Sequence, residues 1–197
     1  MRLYHRSGAG RPIRVAWTLE ELGVQYELVR ISPEEGAGSE HRSRHPLGRV
    51  PVLEDDDGAY FESAGLCLHV ADLHPEAGLV PLVGTRERAL LYQWLFFSMT
   101  ELEPPMIENY RWREKSPEVA DTAAERVRRA LAVIDDALDG REYMVGGRFS
   151  VADVVTSEVV RATVRLGALD PSVRISEYLS AMEARPARQR AAAQLSS

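Results

Sequence analysis

Three short segments near the N-terminus carry residue types that can bind a small polar ligand or support chemistry at a thiol. The first is His45-Pro-Leu-Gly-Arg-Val-Pro-Val-Leu53, in which Pro51 stands at the start of an apparent strand. A cis peptide bond between Val50 and Pro51 would turn the backbone N–H and C=O of Val50 outward, where an extended peptide could pair with them. The alternative is a proline that begins an ordinary edge strand.

The second and third segments place hydroxyl groups next to predicted helix starts. Glu62 and Ser63 precede a helix whose first N–H groups and dipole attract an anion, and the Ser63 hydroxyl adds a donor. Because Glu62 can also pair with an ammonium group, the two suit the head group of an amino acid. A capping serine beside a solvated glutamate is the alternative. Ser7 lies in the loop before the first predicted helix, where its hydroxyl could donate to an anionic ligand or have no role.

Five further candidates lie on a predicted helix from about Thr85 to Glu103, which we expect to break at Pro104–Pro105 and to resume as far as Trp112. Methionine and aromatic side chains form adaptable apolar walls for small ligands, and packing in the core is the alternative. The five residues are Met99, Glu103, Met106, Tyr110 and Trp112.

The elements that must position these residues begin with a strand, a helix and a second strand. Arg2–His5 and Tyr26–Ile31 have the composition of strands. Between them, apolar residues at helical spacing predict a helix that begins near Pro12 and ends at Gly23. Two strands joined by a helix are most easily parallel.

A hairpin and a helix follow. Val50–Glu54 and Ala59–Phe61 are predicted strands joined by an acidic turn, and Ser63 begins a helix that runs to about His74. Residues 32–48 are polar and irregular, with one helical turn expected around Ser39–Arg44. The first half therefore predicts an α+β domain with the order βαβ-ββα and a mixed sheet.

The second half of the chain predicts helices only. A linker rich in glycine and proline covers residues 77–84, and helical patterns continue from Thr85 onward. Ser150 and Asp153 have the spacing of a capping box at the start of one of these helices. We expect a first domain at 1–76, the linker at 77–84 and an all-helical domain at 85–197.

Composition limits the function classes. The 197 residues include 24 Lys and Arg against 30 Asp and Glu, so the net charge of −6 disfavours nucleic acid and anionic lipid as partners. The longest uncharged stretch, Ala89–Thr100, is shorter than the roughly 18 residues that a membrane span requires. The N-terminus has no apolar signal core, and Cys67 alone cannot form an internal disulfide. We expect a cytoplasmic protein without a metal, in which His41 and His45 face solvent.

The order of the segments resembles the cytosolic glutathione transferase family: a loop serine, Gly-Arg-Val-Pro, Glu-Ser and then an all-helical half. The stretches LEELGVQYELVRI, HPLGRVPVLEDDDGAYFES and GGRFSVADV stand as that family's N-terminal, glutathione-site and C-terminal capping segments do. The resemblance covers essentially the whole chain. It implies a thioredoxin-like N-terminal domain, a helical C-terminal domain and usually a homodimer.

The resemblance also implies roles for the residues of the first two segments. Val50 stands where the family's backbone meets the cysteinyl part of glutathione, and Pro51 stands as its cis-proline. Glu62 and Ser63 stand as the pair that binds the γ-glutamyl group. Arg49 falls where a lysine often lies near the glycyl carboxylate, and it keeps the positive charge.

Ser7 falls where serine-type members keep the hydroxyl that donates to the glutathione thiolate. Tyr4 is a rival, because tyrosine-type members use an early tyrosine, although Tyr4 lies within the first strand. Cysteine-type members carry a cysteine where this chain has Gly10, and the isomerase branch carries Ser-Ser-Cys where this chain has Ser7-Gly8-Ala9. The chain therefore resembles the serine type.

The resemblance implies glutathione as the co-substrate and conjugation to small hydrophobic electrophiles, which we expect to bind between the two domains. Reduction or isomerisation with the same thiolate is one alternative. A non-catalytic binding or assembly module is the other, because a fold does not fix a function.

Overall fold

A four-stranded mixed sheet forms the core of the N-terminal half in the computed structural model, which describes residues 1–8, 10–168 and 170–196. The strands are β1 (Arg2–His5), β2 (Glu27–Arg30), β3 (Val52–Glu54) and β4 (Ala59–Phe61), in the order β2-β1-β3-β4. β1 is parallel to β2 and antiparallel to β3, which forms the hairpin with β4. The predicted mixed sheet is confirmed.

Helices flank this sheet in the predicted order, with one addition. They are α1 (Pro12–Leu22), α2 (Pro33–Ala37), α3 (Ser39–Arg44) and α4 (Ser63–Asp72). The short helix α2 falls within the segment that was expected to be irregular. It begins with a capping box in which the side chains of Ser32 and Glu35 accept hydrogen bonds from each other's backbone N–H groups at 3.1 and 2.6 Å.

The register of the strands divides the buried side chains between the two faces of the sheet. Leu3 pairs with Leu53, and both are fully buried on one face. Tyr4 pairs with Val52 on the opposite face, where both form a cluster with Ile31. α1 packs against β1 and α4. Apolar side chains are therefore buried on both faces of the sheet, which stabilises the strands.

The C-terminal half is helical, as predicted. Its central helix is buried at every position from 151 to 160 and begins with the predicted capping box of Ser150 and Asp153. None of the helices in the described part of the chain is both long and apolar enough to span a membrane. The helices of this half are α5 (Arg86–Phe97), α6 (Glu103–Trp112), α7 (Pro117–Ala137), α8 (Val151–Arg165) and α9 (Val173–Glu183).

The break between α5 and α6 does not lie where the sequence predicted it. A π-helical turn over Ser98–Leu102 separates the two helices, and Pro104 and Pro105 both lie in the first turn of α6. Proline is tolerated in a first turn because its missing N–H has no partner within the helix there. The prolines therefore start a helix instead of interrupting one.

The last helix, α10 (Pro186–Ser196), packs against α1. The chain accordingly divides into two compact units, Met1–Gly78 with Ala184–Ser197 and Leu79–Glu183. This differs from the predicted helical domain at 85–197, because charges tie the end of the chain to α1. Arg185 lies 2.7 Å from Glu21, and Arg190 lies 2.7 Å from Glu20.

Candidate functional site

The loop before β3 contains a cis peptide bond between Val50 and Pro51, as the sequence predicted. Gly48 in this loop has φ +63°, and a Cβ added to it would stand 2.3 Å from the carbonyl oxygen of Gly36. Both the backbone conformation and the lack of space require glycine at this position. Pro51 is buried, Val50 is half-buried and Arg49 is exposed.

Two buried histidines hold this loop. His41 is 2% exposed, and its Nε2 lies 2.8 Å from the carbonyl oxygen of Arg49, so Nε2 carries the hydrogen and donates it. His45 is 5% exposed, and its Nδ1 accepts a hydrogen bond of 3.1 Å from the N–H of Leu47. The prediction that both histidines face solvent is wrong, because their partners are backbone groups of the loop.

Glu62 and Ser63 form the start of α4. Glu62 is exposed and has φ +74° and ψ +100°, a conformation that costs a non-glycine residue free energy and often marks a functional site. Its side chain makes no capping hydrogen bond to the helix. Ser63 is 2% exposed, and its hydroxyl oxygen accepts a hydrogen bond of 3.1 Å from Nη1 of Arg14. The helix start therefore has a hydroxyl and N–H groups without a side-chain cap.

The loop and the start of α4 are neighbours in the first unit. The ring of His45 lies 4.7 Å from the ring of Phe61, which directly precedes Glu62. Burial lowers the pKa of His45, while the Glu62 carboxylate acts in the opposite direction and Arg49 acts in the same direction as burial. Both charges are close enough to influence His45, so the candidate residues of the two segments share one region.

Tyr4 belongs to a different cluster. Its hydroxyl donates a hydrogen bond of 2.6 Å to Glu54, whose carboxylate also pairs with Arg2 at 3.0 Å and with Arg44 at 3.3 Å. Burial raises the pKa of Tyr4, and the hydrogen bond to Glu54 raises it further. The hydroxyl of Tyr4 is thus committed to a carboxylate.

Ser7 lies in an exposed turn between β1 and α1. Gly8 follows it with φ +75°, and Ala9 lies outside the described residues. α1 then begins at Pro12 after Arg11 in the N-cap position. Ser7 therefore precedes a helix start and is accessible to a ligand.

The five residues proposed for an electrophile site do not share one environment. Glu103 and Met106 are buried, and Met99 in the π-helical turn is half-buried. Tyr110 and Trp112 are 53% and 43% exposed, and both line an open groove of about 550 Å³. Glu103 and Met106 therefore have the burial that the core alternative predicts. The groove is formed by Tyr110, Arg111, Trp112, Arg113, Glu114 and Lys115.

Sequence reasoning missed two contributors to the site. Arg14 reaches Ser63 from α1, and His41 reaches Arg49 from α3. The sequence gives a weak indication that Arg14 is buried. Arg14 is the one charged residue among residues 12–19, which are otherwise mostly apolar. Nothing in the sequence indicates that His41 is buried, because its partner is a backbone carbonyl, a group that every residue has.

Comparisons with known proteins agree with this architecture. Residues 3–78 match the glutathione S-transferase N-terminal domain, and residues 70–186 match the glutathione S-transferase C-terminal domain. Glutathione S-transferase 4 of Zea mays is 32% identical over 195 residues, 91% of this chain and 86% of the relative. Disulfide-bond oxidoreductase YfcG of Escherichia coli K12 is 27% identical over 167 residues, 77% of this chain and 75% of the relative.

Among solved structures, a sphingomonad glutathione S-transferase complexed with glutathione is similar to this chain. The two have a TM-score of 0.86 and 28% identity, and the alignment covers 99% of this chain and 98% of the other. The family match extends over both halves of the sequence, and the fold agrees throughout. The chain belongs to the glutathione S-transferase family.

Proposed function

We propose that the protein is a glutathione transferase that joins the thiolate of glutathione to small hydrophobic electrophiles. The observation that carries this proposal is the position of the loop over residues 49–51, which lies beside the uncapped start of α4 at Glu62 and Ser63. A γ-glutamyl tripeptide needs a strand-like backbone partner and a site for a zwitterionic head group. These two segments supply both.

Each part of glutathione has a proposed partner. The Val50 backbone pairs with the cysteinyl residue, and Pro51 fixes the loop. Ser63 and the N–H groups of α4 bind the γ-glutamyl carboxylate, while Glu62 pairs with the ammonium group. Arg49, which is exposed, binds the glycyl carboxylate.

Ser7 is the proposed donor to the thiolate. A free thiol has a pKa of about 8.5, so little thiolate exists at pH 7. A hydrogen bond to a charged group contributes about 1.5–3 kcal/mol, which corresponds to a pKa lower by about one to two units. Tyr4 is a poorer donor because its hydroxyl already donates to Glu54. A thiolate stabilised in this way can attack an electrophilic carbon without a neighbouring base.

The head-group assignment is tested by the heat stability of the protein with and without glutathione. A ligand that binds only the folded state raises the unfolding temperature. Replacing Glu62 by Gln and Ser63 by Ala together should remove this rise while the protein still folds. A rise of the same size in the double variant would contradict the assignment. Conjugation assays with a panel of electrophiles then test the reaction class.

The thiolate donor is tested by a pair of variants. Ser7→Ala should lower turnover at pH 7 about tenfold to a hundredfold, and the loss should shrink above about pH 8.5, where solution ionisation supplies thiolate. Tyr4→Phe should keep the pH profile of the unmodified protein. The reverse pattern would assign the role to Tyr4, and no loss in either variant would exclude a hydroxyl donor.

A second candidate function is reduction of disulfides, which the similarity to Disulfide-bond oxidoreductase YfcG favours. Two glutathione molecules would reduce one disulfide to two thiols and leave as glutathione disulfide. Formation of glutathione disulfide without any conjugate would favour this reaction over conjugation. Family membership also supports a cytoplasmic homodimer, and sedimentation analysis tests the dimer.

The electrophile is proposed to contact Tyr110 and Trp112. Both side chains are large, apolar in part and exposed along the groove of the second unit. Aromatic side chains in an open groove accept ligands of several shapes. The helix that carries Tyr110 and Trp112 is then supported by the side chains of Met99, Glu103 and Met106.

A further inference from the structure

The groove at the end of α6 is positively charged, although the chain as a whole is acidic. Among the described residues that line it, Arg111, Arg113 and Lys115 are cations and Glu114 is an acid. All four side chains are exposed, and the whole chain has a net charge of −6. Because like charges gathered in a groove attract ions of the opposite sign, this groove favours anions.

Arg113 is held in place beside the aromatic surface of the groove. Its Nη2 donates hydrogen bonds to the carbonyl oxygen of Leu166 and, at 3.4 Å, to Oδ1 of Asn109. The guanidinium also lies 5.2 Å from the centre of the Tyr110 ring. Neither acceptor carries a charge, so these contacts orient the guanidinium and leave its positive charge available to an anion.

Arg111 and Lys115 carry charges that the described part of the chain does not neutralise. Within residues 1–8, 10–168 and 170–196, neither side chain forms an ion pair. By contrast, each arginine of α7, which packs against α6, pairs with a glutamate. An anion that binds Arg111 or Lys115 therefore displaces no carboxylate of the described residues.

Aromatic side chains lie in the same groove as these cations. Tyr110 and Trp112 are 53% and 43% exposed, and both line it. Aromatic rings pack favourably against other planar rings. The volume of about 550 Å³ is in the range that holds small organic ligands. The groove therefore combines a surface for a planar ring with a surface for a negative charge.

We propose that the second substrate is an aromatic electrophile that carries an anionic group, such as a carboxylate or a sulfonate. This inference rests on the proposed conjugation of glutathione and narrows its substrate class. The ring of the substrate packs against Tyr110 or Trp112. Its anionic group pairs with Arg111 and Lys115, while Arg113 adds to the positive field.

A structural explanation of the same cations makes a different prediction. Arg111 lies in the last turn of α6, where the negative end of the helix dipole attracts a basic side chain. If the cations only stabilised the end of the helix, their loss would lower stability and change the use of every electrophile equally. A role in recognition changes the ratio of two KM values, for an anionic electrophile and for a neutral one.

The probe pair is a chlorodinitrobenzoate, with the chlorine opposite the carboxylate and between the two nitro groups, and its methyl ester. In both, the glutathione thiolate forms a bond from sulfur to the ring carbon, the bond from carbon to chlorine breaks, and chloride leaves with the electron pair. The two probes differ in charge at the end of the ring away from the reacting carbon. Their difference in intrinsic reactivity is the same for every variant, so it cancels when variants are compared.

Steady-state kinetics of the full chain at saturating glutathione measures both KM values. The unmodified protein should have a KM for the carboxylate about threefold to tenfold lower than for the ester, because exposed ion pairs each contribute little. The difference should disappear in about 1 M salt, which screens exposed charges. Stability in the same salt is measured alongside, so that a loss of folded protein is recognised.

The variants change the charge of the groove in both directions. Arg111→Gln with Lys115→Gln should raise the KM for the carboxylate alone and remove the preference, whereas kcat should stay unchanged. Glu114→Gln should increase the preference. Arg86→Gln with Arg141→Gln is the matched control, because it removes two exposed positive charges of the second unit that do not line the groove. It should leave the preference unchanged.

Each outcome bears on either the inference or the proposed function. An equal change in the groove variant and the control, or an equal rise in both KM values, would overturn the inference and leave conjugation standing. A rise in the KM for glutathione in the groove variant would assign the charges to glutathione and also overturn the inference. Failure of the unmodified protein to conjugate either probe, or a neutral chlorodinitrobenzene, would overturn the proposed function.

Discussion

Two loops of the molecule are held by buried polar side chains, and the residues that are held differ in their exposure. In the second unit, the carboxylate of Asp153 accepts hydrogen bonds from the N–H groups of Met144 at 2.8 Å and Ser150 at 2.9 Å. In the first unit, His41 holds the carbonyl of Arg49, whose side chain is exposed. Met144 and Ser150, which Asp153 holds, are themselves buried, whereas Arg49, which His41 holds, is exposed.

The chemical nature of the anchor fits this difference. The Asp153 carboxylate is fully buried, so its hydrogen bonds are made to other groups of the protein and not to solvent. These hydrogen bonds stabilise the folded state. His41, which donates from Nε2, fixes the Arg49 carbonyl without bringing a negative charge close to Arg49, the proposed partner of the glycyl carboxylate. We expect loss of the Asp153 anchor to lower the free energy of unfolding and loss of the His41 anchor to weaken glutathione binding.

The largest expected effect is that of Asp153→Ala. Two buried N–H groups would lose their acceptor at a cost of about 1–3 kcal/mol each, so the free energy of unfolding should fall by about 2–6 kcal/mol. Chemical denaturation measures this change. Asp136→Ala, at an exposed position of α7, should change stability by less than about 0.5 kcal/mol. Equal effects of the two substitutions would contradict the role of Asp153.

The same carboxylate predicts a pH dependence of stability. Burial raises the pKa of Asp153 to about 6, although hydrogen bonds from Met144, Ser150 and Tyr178 act in the opposite direction. Between about pH 4 and pH 6 the folded chain holds this proton more tightly than the unfolded chain, so the contribution of Asp153 to stability falls as pH rises. The unfolding free energy of the unmodified protein minus that of Asp153→Asn should therefore increase by about 2–3 kcal/mol from pH 7 to pH 4. A constant difference would contradict the raised pKa.

The next largest effect concerns the loop of the first unit. Gly48→Ala should disrupt the loop, because the new Cβ would meet the Gly36 oxygen at 2.3 Å, and glutathione affinity should fall at least tenfold. Gly23→Ala is a matched control, since Gly23 has a similar φ of +65° and nothing within 4 Å of the added atom. Gly23→Ala should lower the free energy of unfolding by only about 1–2 kcal/mol, the cost of the left-handed backbone conformation for alanine. It should leave glutathione affinity unchanged. Calorimetry measures the glutathione affinity of both variants, and denaturation measures their stability. The comparison separates the effect of the contact with the Gly36 oxygen from the effect of backbone strain.

A smaller effect should follow from the loss of the histidine anchor. His41→Phe removes the hydrogen bond to Arg49 while it keeps a planar ring, so the KM for glutathione should rise about three- to tenfold. His74→Phe, which changes a partly exposed histidine outside the loop, should have no such effect. An unchanged KM in His41→Phe would show that the loop keeps its shape without the anchor.

The smallest effect on stability should come from the groove of the second unit. Trp112→Ala changes a side chain that is 43% exposed, so the free energy of unfolding should move by less than about 1 kcal/mol. The KM for hydrophobic electrophiles should rise, and the affinity for glutathione should stay the same. A fall in glutathione affinity would contradict the assignment of the groove to the second substrate.

Local patterns in the sequence predicted most of the elements. The parallel pair β1 and β2, the hairpin and the capping box of Asp153 follow from spacing and turn residues over short stretches. For Pro51 the local pattern left both a cis bond and an ordinary edge strand open, and the family resemblance favoured the cis bond. The capping box of Ser32 and Glu35 was visible in the same way, so α2 could have been predicted.

Features that depend on distant partners were not predictable from these patterns. The burial of His41 depends on the carbonyl of Arg49, a group that every residue has. The predicted wall of five residues assumed α-helical spacing on both sides of a break at Pro104–Pro105, but a π-helical turn over Ser98–Leu102 lies before that point. Within α6, Met106 is buried, whereas Tyr110 and Trp112 near the end of the helix are exposed.

The return of the chain to the first unit has a consequence for its synthesis. A ribosome finishes Met1–Gly78 long before it makes α10, so α1 waits for more than a hundred residues without its packing partner. During that interval Trp17, which the guanidinium of Arg188 later approaches to 5.9 Å, lacks this neighbour, and Glu20 and Glu21 lack their arginines. The first unit becomes complete only after α10 has been made, so loss of the chain from Arg185 onward would leave α1 without these contacts.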